Sequence, residues 1–229
     1  MFQFMDTQLS NINTKKYWNN RFSDNDKNSW KNKKGEYQTM DFAYAIAKRL
    51  KIDQNFSGTI LDFGCALGNA IPIYKKFYPQ ATFIGVDFAP AAIAQCQEKF
   101  GNIATFICGD IDIVPYVDVI IASNVFEHLF DDKNIAKKLL GKCKDLYIAV
   151  PYNEQLPGEI EHINSYDITS FDVLTEKIDY QIYLCRGYNF KRKCQSYFNK
   201  EIKDLLRPFF GKTKFQVGIM QQILFHISK

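Results

Sequence analysis

Thr59-Ile60-Leu61-Asp62-Phe63-Gly64-Cys65-Ala66-Leu67-Gly68-Asn69-Ala70 decides how this chain is read. An apolar, β-branched run ends in an acid and then passes through small residues toward a helical pattern. A strand stopping at Asp62, followed by a tight turn through Gly64, Ala66 and Gly68, brings backbone close to a ligand. The amides of the following helix are expected to face that ligand. Ile84-Gly85-Val86-Asp87 ends a second apolar run in another acid, 25 residues after Asp62. At that spacing a carboxylate reaches both hydroxyls of a ribose bound at the first turn. The pattern predicts a nucleoside-shaped ligand.

Two folds compete for it. The dinucleotide fingerprint Gly-x-Gly-x-x-Gly finds Gly64, Ala66 and Asn69, so two of its three glycines are missing. Asp62-x-Gly64-x-Ala66-x-Gly68 instead resembles the first motif of class I S-adenosylmethionine-dependent methyltransferases, in the small-molecule branch (type 11/12-like). In that family the turn (Asp62, Gly64, Gly68) embraces the amino-acid part of the cofactor. The resemblance puts Asp87, with Phe88 beside it, on the ribose. Thr105 to Ile111 ends a third apolar run in Asp110-Ile111, which the resemblance assigns to the adenine amine and a ring nitrogen. Val117 to Leu129, ending Asn124-Val125-Phe126-Glu127-His128-Leu129, resembles the fourth motif and places Asn124 at the cofactor. The likeness covers roughly residues 37 to 190. It implies an α/β, doubly wound, Rossmann-like sheet of seven strands in the order 3-2-1-4-5-7-6, with the last strand antiparallel.

Outward from these motifs, strands and helices alternate from Glu36 onward, as in a parallel sheet covered on both faces. Helices are expected over Met40–Leu50, Pro90–Phe100 and Ile135–Leu140, and near Ile168–Thr175. Later strands are expected at Leu146–Val150, Tyr180–Phe190 and Gln222–Ile227. Residues 191 to 220 read as an insertion on the substrate side with its own helix, Phe198–Arg207.

A chain of 229 residues, 46% hydrophobic, suits one well-buried domain over 37–229. No apolar run approaches ~18 residues, and the N-terminus lacks a signal peptide's basic flank and apolar core. The six cysteines are scattered, which fits reduced core thiols in a cytoplasmic protein rather than disulfides or zinc. The net charge of +4 is mild and is no argument for nucleic acid. A monomer or homodimer away from membranes is expected.

Residues 1–36 are polar, yet they hold both tryptophans, in Tyr17-Trp18-Asn19-Asn20-Arg21-Phe22 and at Trp30. Composition alone describes a tail. The segment also resembles the N-terminal part of thiopurine-type and several bacterial small-molecule methyltransferases, which folds over the cofactor. That resemblance implies a lid with Trp18, Arg21 and Trp30 at the cofactor, and aromatic faces attract a sulfonium.

Catalytic candidates belong at the C-terminal edge of the sheet, where open α/β sheets bind ligands. Two loops place them there: Asn124, Glu127 and His128 after the fourth strand, and Glu159, Glu161 and His162 after the fifth. His162 is the first choice for a general base, because imidazole titrates near pH 6.5; the alternative is a hydrogen-bonding cap. Glu127 and His128 equally suit anchoring of the next helix. A third reading links the clusters. Ubiquinone-biosynthesis O-methyltransferases and small-RNA 3′-terminal 2′-O-methyltransferases bind a divalent ion through Glu-x-x-Glu-His and a later His or acid. Glu127, His128 and His162 match the later part, whereas Asn124 replaces the first Glu, which weakens a hard-cation site. A divalent metal stays an open alternative.

Base-amine methylation lacks its Asn/Asp-Pro-Pro-aromatic turn here, and cytosine-C5 chemistry lacks its Pro-Cys turn. Lys31-Lys33-Lys34 and Lys191-Arg192-Lys193 could hold phosphates, but such clusters are more often solvated faces. The resulting expectation is methyl transfer from S-adenosylmethionine to an oxygen of a small polar metabolite or glycan precursor, including sugars and phosphorylated metabolites, with S-adenosylhomocysteine as product. The alternatives are an RNA or protein methyltransferase on the same core, and a cofactor-binding relative without transfer activity.

Overall fold

The computed structural model describes residues 12–23, 29–30, 35–156, 160–175, 177–185 and 220–228. In chain order the helices are α1 (Lys15–Phe22), α2 (Gly35–Ala47), α3 (Ile71–Phe77), α4 (Pro90–Phe100) and α5 (Asp132–Gly141). The strands are β1 (Thr59–Phe63), β2 (Thr82–Asp87), β3 (Thr105–Cys108), β4 (Val117–Ser123), β5 (Cys143–Pro151), β6 (Ile178–Cys185) and β7 (Met220–Ser228). They form one sheet in the order β3-β2-β1-β4-β5-β7-β6. The first five strands pair parallel, while β7 runs antiparallel to both β5 and β6. Order and direction are those the sequence motifs imply.

The strands are apolar because both faces are covered. Ile60, Val119, Ile121, Tyr147 and Ala149 point to the layer of α2 and α3. Their neighbours Leu61, Ile120, Ala122, Leu146 and Ile148 point to the layer of α5. Period-two alternation thus divides each buried run between two cores. The parallel register carries Asp62 and Asp87 to the same sheet edge, since Asp62 pairs with Gly85 and Phe63 with Val86. Among the described residues no helix is long and apolar enough to cross a membrane.

Three expectations change. Residues 168–174 form turns, not a helix. There the Asp167 carboxylate accepts the Thr169 amide at 2.9 Å and the Thr169 hydroxyl at 2.8 Å, so side chains satisfy groups a helix would use. β6 is assigned over Ile178–Cys185 rather than Tyr180–Phe190; residues 186–190 lie outside the described residues. The boundary between 36 and 37 falls inside α2, which starts at Gly35. The 191–220 insertion (apart from Met220, which opens β7), the helix Phe198–Arg207, Glu159, Cys194 and both lysine-rich clusters also lie outside the described residues. The other five cysteines are free thiols.

Candidate active site

β1 ends into a turn built on left-handed backbone: Gly64 has φ 72°, Ala66 47° and Gly68 74°. The Gly64 and Cys65 amides donate to Val86 O at 2.8 and 3.0 Å, which fastens the turn to β2. A Cβ on Gly64 would lie 2.4 Å from Val125 Cγ2, so glycine is required for space as well as for φ. The helix that follows departs from expectation. α3 has seven residues, and its first amides are occupied, with Ile71 donating to Gly68 O at 3.1 Å and Ile73 to Ala70 O at 3.0 Å. The turn, rather than the helix end, therefore faces the cleft.

That cleft has a volume of about 300 Å³ and lies over the C-terminal edge of β1, β2 and β4. Its floor includes Asp62, Gly64, Cys65, Ala66, Asp87 and Phe88. Asp87 accepts the Ala66 amide at 2.9 Å through one oxygen and the Ala89 amide at 2.9 Å through the other. Burial pushes the Asp87 carboxyl up to about 6, against the pull of those amides. Burial, with the neighbouring Asp87 charge, pushes Asp62 up to about 8. Two desolvated acids side by side suit a ligand that brings hydroxyls and positive charge.

One wall is N-terminal. Thr14 caps α1 by accepting the Tyr17 amide at 3.2 Å. The helix docks on α4, with the Ala91 amide donating to Asn19 Oδ1 at 2.9 Å and Gln95 Nε2 to Phe22 O at 2.7 Å. Trp18 stacks on Phe22 and meets Trp30 and His128 edge-on, with ring centroids 6.3 and 5.0 Å away. Arg21 lies over Trp30 at 5.9 Å. Trp18, Arg21, Phe22 and Trp30 all line the cleft, as do Gln38, Thr39 and Phe42 of α2.

The opposite end is polar. After β4, Asn124 takes φ 53°, a conformation asparagine tolerates, and the chain enters the 3₁₀ turn Phe126–His128. The segment after β5 is clamped onto that turn. The Ile163 and Asn164 amides donate to Glu127 O at 2.8 and 3.2 Å, and Asn164 Nδ2 reaches Phe126 O and Leu129 O at 3.0 and 2.6 Å. His162 thereby lies beside His128, ring centroids 5.0 Å apart. His162 Nδ1 is 2.6 Å from Glu154 Oε2, and His128 Nδ1 is 2.9 Å from Glu161 O. Glu127 is buried with no hydrogen-bond partner on either carboxylate oxygen among the described residues, and burial pushes it up to about 8. Burial pulls His128 down to about 4. One ligand atom from each of Glu127, His128 and His162 lies within 4.8 Å of the others. Carboxylate oxygens without a partner among the described residues, beside two imidazoles each held through Nδ1, are a donor set that fits a divalent cation.

Of the residues singled out in the sequence, Trp18, Arg21, Trp30, Asp62, Gly64, Asp87, Phe88, Asn124, Glu127, His128 and His162 share this cleft. Three do not line it. Gly68 supports the turn from behind, where a Cβ would meet Cys96 Sγ at 3.0 Å. Asp110 is exposed and caps the 3₁₀ turn Ile111–Ile113 by accepting the Asp112 amide at 3.1 Å, and Ile111 is buried in the core. His226, in β7, pairs with Asp145 at 2.7 Å and stacks on Tyr147. Asn13, Gln38 and Thr39, which line the cleft, and Glu154, which holds His162 Nδ1 at 2.6 Å, were not foreseen. Nothing local marks them, because each takes its place only through the tertiary fold.

Residues 60–146 match the methyltransferase domain family. Several solved structures share the fold. A plantazolicin methyltransferase, BpumL, in complex with a monoazolic desmethylPZN analogue and S-adenosylhomocysteine, is 20% identical with a TM-score of 0.59, each chain covered over 99% of its length. Coclaurine N-methyltransferase bound to N-methylheliamine and S-adenosylhomocysteine is 13% identical with a TM-score of 0.56, covering 83% of this chain and 70% of that one. An S-adenosylmethionine-dependent methyltransferase from Aquifex aeolicus is 12% identical with a TM-score of 0.55, covering 83% and 92%. No curated protein matches the sequence. Residues 60–146 thus match a methyltransferase domain, and the seven-stranded sheet gives the chain the fold of the S-adenosylmethionine-dependent methyltransferases it resembles.

Proposed function

We propose that this methyltransferase transfers the methyl group to an oxygen of a small polar acceptor, such as a sugar or a phosphorylated metabolite. The observation that carries the reading is the convergence of Glu127, His128 and His162 on the cleft that also holds Asp62 and Asp87. The cofactor supplies the methyl as a sulfonium whose thioether leaves unaided. The protein's contribution is therefore mostly orientation, which can amount to ~7–11 kcal/mol. Asp87 takes the ribose hydroxyls, and Asp62 with the Gly64 turn takes the amino-acid end. Asp110 and Ile111, one strand further out, take the adenine. Phe88 and Asn124 flank the cofactor, while Trp18, Arg21 and Trp30 cover it from above, so the N-terminal segment acts as a lid. The acceptor hydroxyl then faces the Glu127–His128–His162 wall, where its proton is lost. His162, held through Nδ1 by Glu154, has Nε2 left to receive it. Proton removal of this kind contributes typically ~10²–10⁴-fold.

An acceptor screen with purified protein tests this reading, with S-adenosylhomocysteine release as the readout. Sugar nucleotides, phosphorylated sugars and hydroxy acids should yield O-methyl products. Turnover confined to amines, RNA or protein would overturn it.

A further inference from the structure

We propose that the acceptor is an amino alcohol, such as an amino sugar, whose ammonium group seats against Glu127 and Asn13 while a neighbouring hydroxyl faces His162. The inference rests on the O-methyl-transfer reading given above and narrows its acceptor class.

The His128–His162 end of the cleft presents hydrogen-bond acceptors. Glu161 O is a carbonyl and can only accept, so the 2.9 Å contact puts the His128 proton on Nδ1 and leaves Nε2 bare. The Glu154 carboxylate, 2.6 Å from His162 Nδ1, does the same for that ring. Asn13, held at φ 64°, donates Nδ2 to Glu161 O at 2.7 Å, and its Oδ1 is buried without a partner among the described residues. Glu127 is only 1% exposed, and both its oxygens likewise lack a partner among those residues. All four side chains line the cleft. Buried acceptors left unpaired are costly, and a ligand rich in donors removes that cost.

Charge narrows the ligand further. Among the described residues lining the cleft, Arg21 is the only lysine or arginine, and it pairs with Glu161 Oε1 at 3.2 Å. Glu127 thus has no cation of the described residues set against it. An ammonium brings three donors, no acceptor and a positive charge. It can satisfy Glu127 and Asn13 together through charge-assisted bonds. A phosphate brings acceptors and negative charge, so the same wall repels it. Protonated, the nitrogen has no lone pair for the methyl group, which leaves the hydroxyl as the atom methylated. One atom from each of Glu127, His128 and His162 lies within 4.8 Å of the others, a span that an amine and hydroxyl on adjacent carbons bridge. The hydroxyl proton passes to His162 Nε2 as its oxygen takes the methyl, and the electron pair of the broken carbon–sulfur bond stays on sulfur.

The full-length protein is assayed with matched sets of acceptors: amino sugars and vicinal amino alcohols, their parent sugars and diols, their N-acetyl forms, and sugar phosphates. The amines should exceed their parents and N-acetyl forms in kcat/KM by about 10–100-fold, chiefly through KM, and the products should carry the methyl on oxygen. E127Q should lose most of that preference through a raised KM for the amines, while binding S-adenosylhomocysteine as wild type does. The wild-type comparison decides the matter even if E127Q does not fold. Parents, N-acetyl forms or phosphates used as well as the amines, no turnover of any amine, or a preference kept intact in E127Q overturns the proposal. O-methyl products formed without that preference would leave the transfer reading standing, whereas methyl found on nitrogen would overturn both.

Discussion

The Asp87 carboxylate accepts the backbone amide of Ala66 at 2.9 Å, which ties the end of β2 to the centre of the turn after β1. Ala66 lies at φ 47°, in the left-handed region where a residue with a Cβ is strained. This bond, with the Val86 carbonyl accepting from Gly64 and Cys65, fixes the turn. The acid proposed to receive the ribose thus also shapes the turn proposed to receive the rest of the cofactor.

Asp62 should make stability fall as pH rises. Its folded-state carboxyl is pushed from 3.8 up to about 8, first by burial and then by the Asp87 charge. The folded state therefore binds this proton more tightly than the unfolded chain does. The contribution is full below pH ~4 and is lost progressively toward pH ~8. Asp62→Asn removes the ionisation at nearly constant shape. Thermal melts should show the variant gaining on wild type between pH 5 and 8. A variant that loses ground over that range contradicts the assignment.

Gly64→Ala should lower both stability and cofactor affinity. A φ of 72° strains alanine, and the new Cβ would lie 2.4 Å from Val125 Cγ2. Positive-φ strain of this kind costs about 1–3 kcal/mol. Adding Val125→Ala should recover the clash and not the strain, so the double variant should melt between the single variant and wild type. Full recovery would mean that backbone conformation contributes nothing.

Glu161 joins the N-terminal wall to the His128–His162 end of the cleft. Its carboxylate accepts the Tyr17 hydroxyl and pairs with Arg21 Nε at 3.2 Å, while its carbonyl accepts Asn13 Nδ2 at 2.7 Å. Glu161→Ala removes the side-chain half of that junction, with each hydrogen bond to a charged group contributing about 1.5–3 kcal/mol. Trypsin should then cut at Lys15, Lys16 or Arg21 several-fold faster, and the KM for S-adenosylmethionine should rise by about 10-fold. Unchanged cleavage would show that α1 is held by its contacts with α4 alone.

His162→Ala should lower turnover by about 10²–10⁴-fold and leave S-adenosylhomocysteine affinity close to wild type. It stands beside His128, in the part of the cleft proposed to receive the acceptor. Normal turnover across the pH range would remove it from the chemistry.

The parallel sheet was legible because strands buried on both faces read as unbroken apolar runs, each ending in a marked residue: Asp62, Asp87, Asp110 or Asn124. The antiparallel β7 between β5 and β6 followed from family resemblance, since nothing in Gln222–Ile227 specifies a partner. Ile168–Thr175 misled because its apolar spacing is helical while Asp167, Thr169 and Ser170 bond locally. The part of the cleft proposed to take the cofactor was visible because Asp62, Gly64 and Asp87 sit at strand ends at regular spacing. The part proposed to take the acceptor was visible only partly. Glu127, His128 and His162 stand out by type, but Glu154 is unremarkable until the chain folds it against His162. Likewise, Tyr17 and Glu161 meet across a sequence separation of 144 residues, which no local pattern records.

Calorimetry with S-adenosylhomocysteine on wild type and on Asp87→Ala is the most direct test of the cofactor cleft. Wild type should bind one equivalent, and Asp87→Ala should bind about 10–100-fold more weakly, consistent with losing a charged hydrogen-bond acceptor of about 1.5–3 kcal/mol. Equal affinity in the two proteins, or NADH binding in preference to S-adenosylhomocysteine, would contradict it.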